Sequence, residues 1–471
     1  MRFKTNLVVG AVFAALLGFV YFHEIKGGEE RQAAADKAKM LAEFSDHEAK
    51  RLVLDRGDTL VVLEKDAGDW RLTAPVAAAA DGDAVERYLR NLRETERERV
   101  VEDSAAVAAD GALRAKYGLE GARLKIRLET TEAALDTFVF GADSPTERFA
   151  YMRRGGANPE IFTVRAWRYD NLNKGVFDLR DRRVLPFAKD EAVRVSLQAA
   201  DGDAVVLEKQ AGSWRLLEPV EAEADAGAVD GLLGALEGAE AQAYADEAPD
   251  AGALATYGLA PAATVEVALL VGEERAEKRL AVGGLATGKR YYARDAARGA
   301  VFEADSSVVL GLLKTAADLR DRKPVRFERD AVDDVTLEGR AGRLRALRDT
   351  AGVWSIVEPE AREAKSWRFN SLLTELEGVE VSRFVADGVE DFAAHGLGAP
   401  ALEIRLTAGG AEVGRYAFGA PEGEEAALRV FGMPSVFAVD AAVFEEVDLG
   451  LEDLAQENAA PAAEAPAENG E

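Results

Sequence analysis

The run Gly283-Gly284-Leu285-Ala286-Thr287-Gly288-Lys289-Arg290 has the spacing G-x-x-x-x-G-K, in which glycine amides and a lysine can cradle a nucleotide's phosphates. Two features argue against that chemistry. Arg290 stands where such a loop needs a Ser or Thr hydroxyl for magnesium. The loop must also open a helix whose N-terminus meets the phosphates, whereas Tyr291-Tyr292-Ala293 continues as a strand pattern. The run is expected to be a glycine-rich hairpin turn.

Other reactive side chains are sparse or scattered. The chain has no cysteine, which removes disulfides, thiolate metal sites and a Cys nucleophile. Of its histidines, His23 and His47 fall in a polar linker, and His395 stands where related segments carry Tyr117 and Tyr257, so a packing role is expected. With 85 acidic residues almost any carboxylate pair can be named, but none recurs between aromatics as a glycosidase cleft would suggest. No G-x-S-x-G elbow appears. No catalytic residue, metal ligand or cofactor site is expected. The formal charge of -27 argues against nucleic acid and anionic lipid as partners, since both select basic surfaces.

What does recur is a tryptophan. Trp70 and Pro75, Trp214 and Pro219, and Trp354 and Pro359 each lie in the pattern G-x-W-x-(aliphatic)-x-x-P. Only five tryptophans exist in the chain, so three at one repeated position mark an internal repeat. The period, 144 and then 140 residues, is the size of a domain. Fifteen residues after each tryptophan begins an i, i+3, i+4, i+7 apolar stripe: Val85, Tyr88, Leu89, Leu92; Val229, Leu232, Leu233, Leu236; Phe369, Leu372, Leu373, Leu376. Each stripe predicts a helix with one face on a core, with Asp81, Asp225 and Ser366 as N-caps. Further on stand Tyr117-Gly118-Leu119, Tyr257-Gly258-Leu259 and His395-Gly396-Leu397, the glycines reading as helix stops.

Alternating apolar runs at Leu52–Leu54, Leu60–Leu63, Leu124–Leu128, Thr137–Phe140, Phe149–Met152 and Ile161–Val164 predict strands, and a helix carrying Trp167, Tyr169 and Leu172 follows. Each unit is therefore α+β with a mainly antiparallel sheet and packed helices. Alternation places Trp70 and Leu72 on one face, so the repeated tryptophans are expected in the core, with a ligand platform as the rival reading. Trp167 and Trp367 lie outside the signature and are the candidates for a repeat-specific binding cleft.

The first two repeats close on Asp178-Leu179-Arg180-Asp181-Arg182-Arg183 and Asp318-Leu319-Arg320-Asp321-Arg322-Lys323; the third keeps only Asp448-Leu449. Arg180, Arg182, Arg320 and Arg322 are candidate interface residues. They either contact an anion or partner, or pair with Asp178, Asp181, Asp318 and Asp321 at the junction to the next repeat. Their place at each domain end favours the junction.

The domain boundaries follow: a membrane anchor at 1–22, a linker at 23–50, repeats at 51–187, 188–327 and 328–454, and an Ala/Pro/Glu tail at 455–471 expected to lack structure. The apolar heart of the anchor, Leu7 to Phe22, spans about 24 Å as a helix, slightly under the ~30 Å hydrocarbon core. Tyr21-Phe22-His23-Glu24-Ile25-Lys26 offers no small-residue cleavage site, and Arg2 and Lys4 hold the N-terminus in the cytoplasm. A single-pass protein with its bulk exported is the expected topology.

The ordered set of signature, helix stripe, Tyr-Gly-Leu and Asp-Leu-Arg-Asp-Arg ending resembles a bacterial family known only as domain-of-unknown-function family 4340, across about residues 50 to 450. Such proteins resemble accessory components encoded beside gliding-type ABC transporter subunits. The resemblance implies an inner-membrane-anchored periplasmic protein with a membrane-protein partner such as an ABC transporter subunit, and it supplies no catalytic residues. The expected function is therefore a non-enzymatic scaffold or accessory subunit. A periplasmic binding module for an envelope glycan, lipid or peptide is the second reading, and a hydrolase the third.

Overall fold

The computed structural model describes residues 39–41, 44–45, 47–156, 159–260 and 263–456. The expected anchor at 1–22 and most of the linker lie outside the described residues. Among the described residues, no helix is long and apolar enough to cross a membrane.

The first repeat begins with strands β1 (Ala49–Asp55), β2 (Leu60–Asp66), β3 (Asp69–Ala74) and β4 (Ala78–Ala79). Helix α1 (Gly82–Arg93) follows, then β5 (Arg99–Glu102), α2 (Ser104–Ala109) and α3 (Leu113–Lys116). A second meander, β6 (Leu124–Thr130), β7 (Phe138–Asp143), β8 (Phe149–Arg154) and β9 (Glu160–Arg165), precedes α4 (Trp167–Leu172) and α5 (Val176–Leu179). The sheet order is β4-β3-β2-β1-β6-β7-β8-β9-β5. Two meanders are thus joined by the β1–β6 pair, and the short β5 closes the far edge on β9. The second and third repeats build nine-stranded sheets in the same order, and the pairs are antiparallel. The chain is three related α+β repeats.

Register explains the core. Leu52 lies opposite Leu63 and Leu128, and Leu54 opposite Val61 and Ile126; all six are fully buried. The alternate residues lie on the opposite face of the pleat, where Val53 and Val62 are also largely covered, at 8% and 5% exposed. Helix α1 lays Val85, Tyr88, Leu89 and Leu92 on that face, each burial stabilising by about 1.5–3 kcal/mol. Its N-cap is Asp81, whose carboxylate accepts from the Ala84 amide, and Asp225 does the same for Ala228. The third repeat departs from expectation here. Lys365 is its N-cap, and the Ser366 hydroxyl instead accepts from the Trp354 amide at 3.0 Å, tying the helix start to the signature strand.

The signature has one backbone form throughout. Pro75, Pro219 and Pro359 each follow a cis peptide bond, and the chain then returns to pair with the tryptophan strand, as at Leu72 opposite Ala78. The tryptophans themselves differ. Trp354 is fully buried and stacked on Phe369 at 5.0 Å between centroids, and Trp70 is 5% exposed. Trp214 is only half-buried, so the core role expected of all three is complete in two. The helix of repeat two carries Gly227, Gly231 and Gly234, small residues that leave less side chain to cover an indole.

By packing, the described residues form two compact units. One holds residues up to Val184 with Glu240–Pro249 and Arg298–Glu303; the other holds Leu185–Ala239, Asp250–Ala297 and the residues from Ala304. Two expected boundaries change. Lys39–Leu41, read as linker, joins repeat one: Arg97 N donates to Lys39 O, Leu41 N donates to Thr95 O, and Leu41 is 1% exposed. At the other end Ala455 is 3% exposed and Gln456 N donates to Glu363 O, so ordered structure passes the expected start of the tail at 455.

Candidate functional site

Each repeat closes with one turn of helix held by its own aspartate. Gly175 N donates to Asp178 at 2.8 Å, Thr315 N to Asp318 at 2.8 Å, and Gly450 N to Asp453 at 2.9 Å. The following leucine is buried, and its carbonyl accepts from the N-cap amide of the main helix: Asp81 from Leu179, Asp225 from Leu319, Lys365 from Leu454. This corrects the reading of Asp448-Leu449 as the third closing motif, because the structural equivalent is Asp453-Leu454-Ala455. Asp448 instead pairs with Arg340 at 2.8 Å.

The next residue is extended and makes a bridge to the strand before that helix: Arg180 to Ala80, Arg320 to Ala224, Ala455 to Ala364. The bridge fixes the direction of the side chain. Within the first unit, Arg180 is 5% exposed, pairs with Glu247 at 2.6 Å and lays its guanidinium 3.4 Å from the Tyr244 ring centroid. Within the second, Arg320 is 7% exposed, pairs with Asp387 at 3.0 Å and donates to Ser435 Oγ at 3.2 Å. Its guanidinium lies 4.2 Å from the Phe384 ring centroid. Ser435 in turn donates to Asp387 at 2.7 Å. In both cases the acid lies 67 residues beyond the arginine, at the end of the counterpart of β5 in the following repeat: Asp387 is the last residue of the strand Arg383–Asp387, and Glu247 directly follows the strand Ala243–Asp246. A buried guanidinium is tolerated only with a charge partner and satisfied donors, and the aromatic face adds about 0.5–2 kcal/mol.

The neighbouring polar residues lock the same contact. Ala241 N donates to Arg182 O at 2.7 Å, and Val381 N to Arg322 O at 2.8 Å. Arg182 pairs with Glu240 at 2.7 Å, while the Arg322 side chain is exposed and this residue serves through its carbonyl. Asp181 is held by Arg183 at 2.8 Å. Burial pushes its carboxyl up, but the Arg183 side-chain and main-chain bonds and the Arg298 charge outweigh burial and hold it below its ordinary value. The expected pairing of Arg180 and Arg320 with the aspartates of their own motif is thus corrected. Asp178 and Asp318 cap helices, and the arginines take their partners from the next repeat.

The socket is aromatic only where an arginine arrives. Tyr244 and Phe384 lie opposite Phe302 and Phe437; the same register place in repeat one, opposite Phe162, is Val100, which is 46% exposed. At the other end of the series, Ala455 provides no guanidinium. Sequence reasoning missed Tyr244, Glu247, Phe384 and Asp387 because β5 and its counterparts are too short to carry an apolar period. The available signal was the common spacing of 67 residues.

The remaining sequence candidates fall elsewhere. The run Gly283–Arg290 covers the end of strand Ala276–Leu285, the turn at 286–289 and the start of strand Arg290–Asp295, a hairpin as expected. Trp167 and Trp367 are 51% and 64% exposed, each under a neighbouring arginine, Arg168 and Arg368. Among the described residues no group of three or more His, Asp or Glu is placed to hold a metal ion.

A tandem α+β protein keyed together by arginine junctions is the class these features define. The profile of the family described as "Domain of unknown function (DUF4340)" matches residues 70–215 and again 214–400, and the chain belongs to that family. Each match begins at a signature tryptophan; the first runs through Arg180 and ends before Tyr244 and Glu247, and the second spans both Arg320 and Asp387. No curated protein matches the chain.

Proposed function

We propose that this protein is a non-enzymatic scaffold: a string of modules tethered by its N-terminal segment to a bacterial inner membrane, its bulk in the periplasm. There it serves as an accessory subunit of a gliding-type ABC transporter or a related envelope system. The observation that supports this reading is the junction made twice with the same parts, a buried arginine, an aromatic face and an acid 67 residues on. Such parts organise modules in a set order rather than activate a substrate. The apolar run from Leu7 to Phe22 and the basic Arg2 and Lys4 support the tether and its direction.

Cross-linking in intact membranes followed by mass spectrometry tests the partner. Recovery of an ABC permease or ATPase cross-linked to one repeat is expected; a full set of intramolecular cross-links with no membrane-protein partner overturns the accessory role. A reporter active only in the periplasm, fused after Glu471, is expected to be active, and an inactive fusion that is made at full length overturns the topology.

A further inference from the structure

Repeats one and two each place one tyrosine ring on another. Tyr117 packs on Tyr151 with centroids 4.7 Å apart, and Tyr257 on Tyr292 at 4.6 Å. The first tyrosine of each pair precedes a glycine of positive φ, Gly118 or Gly258. The second lies on the counterpart of β8, one residue before Met152 or Ala293, which face Phe140 and Val282.

Repeat three replaces both rings. His395 precedes Gly396, whose φ is 73°. Ala427 precedes Leu428, which faces Phe418. The loop beside them also stands back. A side chain built on Gly141 or Gly283 would meet the carbonyl of Tyr117 or Tyr257 at 2.3 and 2.2 Å, whereas at Gly419 the nearest atom is the Ala427 methyl at 3.3 Å. In the vacated space is a cavity of about 510 Å³, within the size range of small-ligand sites, about 300–1,000 Å³.

Its walls suit a flat ring with a polar end. Val385, Ala401, Ala427 and Val436 supply apolar surface, and His395, Arg383 and Glu425 supply polar groups. Glu425 is held by Ser382 Oγ at 2.9 Å and by Arg383 at 2.5 Å; the Arg383 and Ser382 bonds keep its carboxyl below its ordinary value. It is therefore an ionised acceptor at the cavity edge. Repeat one shows the same pairing of chemistry inside a single domain, since the Tyr117 hydroxyl donates to Glu102 at 2.5 Å. Filling such space with a ring gains packing contacts.

We propose that the third repeat is a receptor for a phenolic ring, which takes the place of the tyrosines that repeats one and two provide for themselves. The ring comes from a tyrosine of a partner polypeptide or from a free small phenol. The site is independent of the scaffold reading and survives its failure.

The test is titration of the full chain with N-acetyl-tyrosinamide, p-cresol and toluene, followed by ligand-observed NMR. The control is the double variant His395→Tyr/Ala427→Tyr, which restores a tyrosine pair already accommodated twice in this fold. At least one phenol is expected to bind with a Kd of about 1 mM or tighter, and the double variant to weaken it by about tenfold or more. Toluene is expected to bind more weakly than p-cresol by a similar factor, because it offers the acid no donor. Preference for the tyrosinamide assigns a polypeptide source, and preference for p-cresol a free one. No binding of either phenol to the folded chain, equal binding to the double variant, or equal binding of toluene and p-cresol overturns the proposal.

Discussion

In the second repeat Trp214 is half-buried and Tyr257 stacks on Tyr292, and the repeat ends in Arg320, a buried guanidinium. In the third, Trp354 is fully buried against Phe369, His395 and Ala427 line a cavity, and the closing position is Ala455. The two repeats share every strand of the sheet, so the differences are substitutions on a constant frame. The third has the larger aromatic packing under its helix and lacks the stacked tyrosine pair at its outer loop, where Phe392 and Phe431 pack instead on a small cluster. Packing that specifies the fold is kept or strengthened, while positions that can be emptied without exposing the main core have changed. Leu397, Ala417 and Val436 remain as a small cluster under that loop, apart from the main core.

The comparison is most directly broken at the tryptophans. Trp354→Ala is expected to destabilise the third repeat by about 3–5 kcal/mol, the range for buried large-to-small changes. Hydrogen exchange of the strand Leu402–Ala408, read in the full chain, measures it. Arg320→Ala comes next, at about 2–3 kcal/mol, because it strips a buried partner from Asp387 while that acid keeps some solvent and the Ser435 bond. Its readout is faster exchange at Val381, whose amide is held by the Arg322 carbonyl. Trp214→Ala is expected to cost about 1–2 kcal/mol, since a partly exposed ring loses less burial. A cost equal to that of Trp354→Ala would show that the two signature positions carry the same weight after all.

Acid gives the smallest effect and sharpens the contrast between closing motifs. Asp181 has its folded carboxyl held below the unfolded value. Its contribution is therefore complete above the ordinary carboxylate range, about pH 4, and is lost as pH falls through the lower folded value. The unfolding midpoint of the first unit should drop in that window, and Asp181→Asn should flatten this part of the profile. The third repeat carries Gln456 in the equivalent place, its amide bonded to Glu363 O as that of Asp181 is to Ala79 O. That end should be insensitive to the same change.

Much of the frame was legible because it rests on local periodicity. The tryptophan-to-proline signature, the stripe at Val85, Tyr88, Leu89 and Leu92, and the alternating runs of β1, β2 and β6 each report their own element, and the structure has them where the pattern put them. The glycine-rich turn at 283–290 was legible by comparison between repeats. The N-cap of the third helix was misread because Ser366 is the better capping residue in isolation, yet its hydroxyl is taken by the Trp354 amide from another strand. Asp448-Leu449 matches the motif only in its letters; the buried Leu454 and the cap at Asp453 carry the function of the motif.

The sequence by itself determined three α+β repeats, their core faces and the placing of the arginines at repeat ends, because short-range periodicity and repetition encode what each segment buries. Only the tertiary structure decided whom the arginines meet, how deeply each signature tryptophan sits and where two missing rings leave a cavity. Those outcomes depend on side chains separated by tens of residues and brought together by sheet closure, and no local pattern records a distance that the fold alone creates.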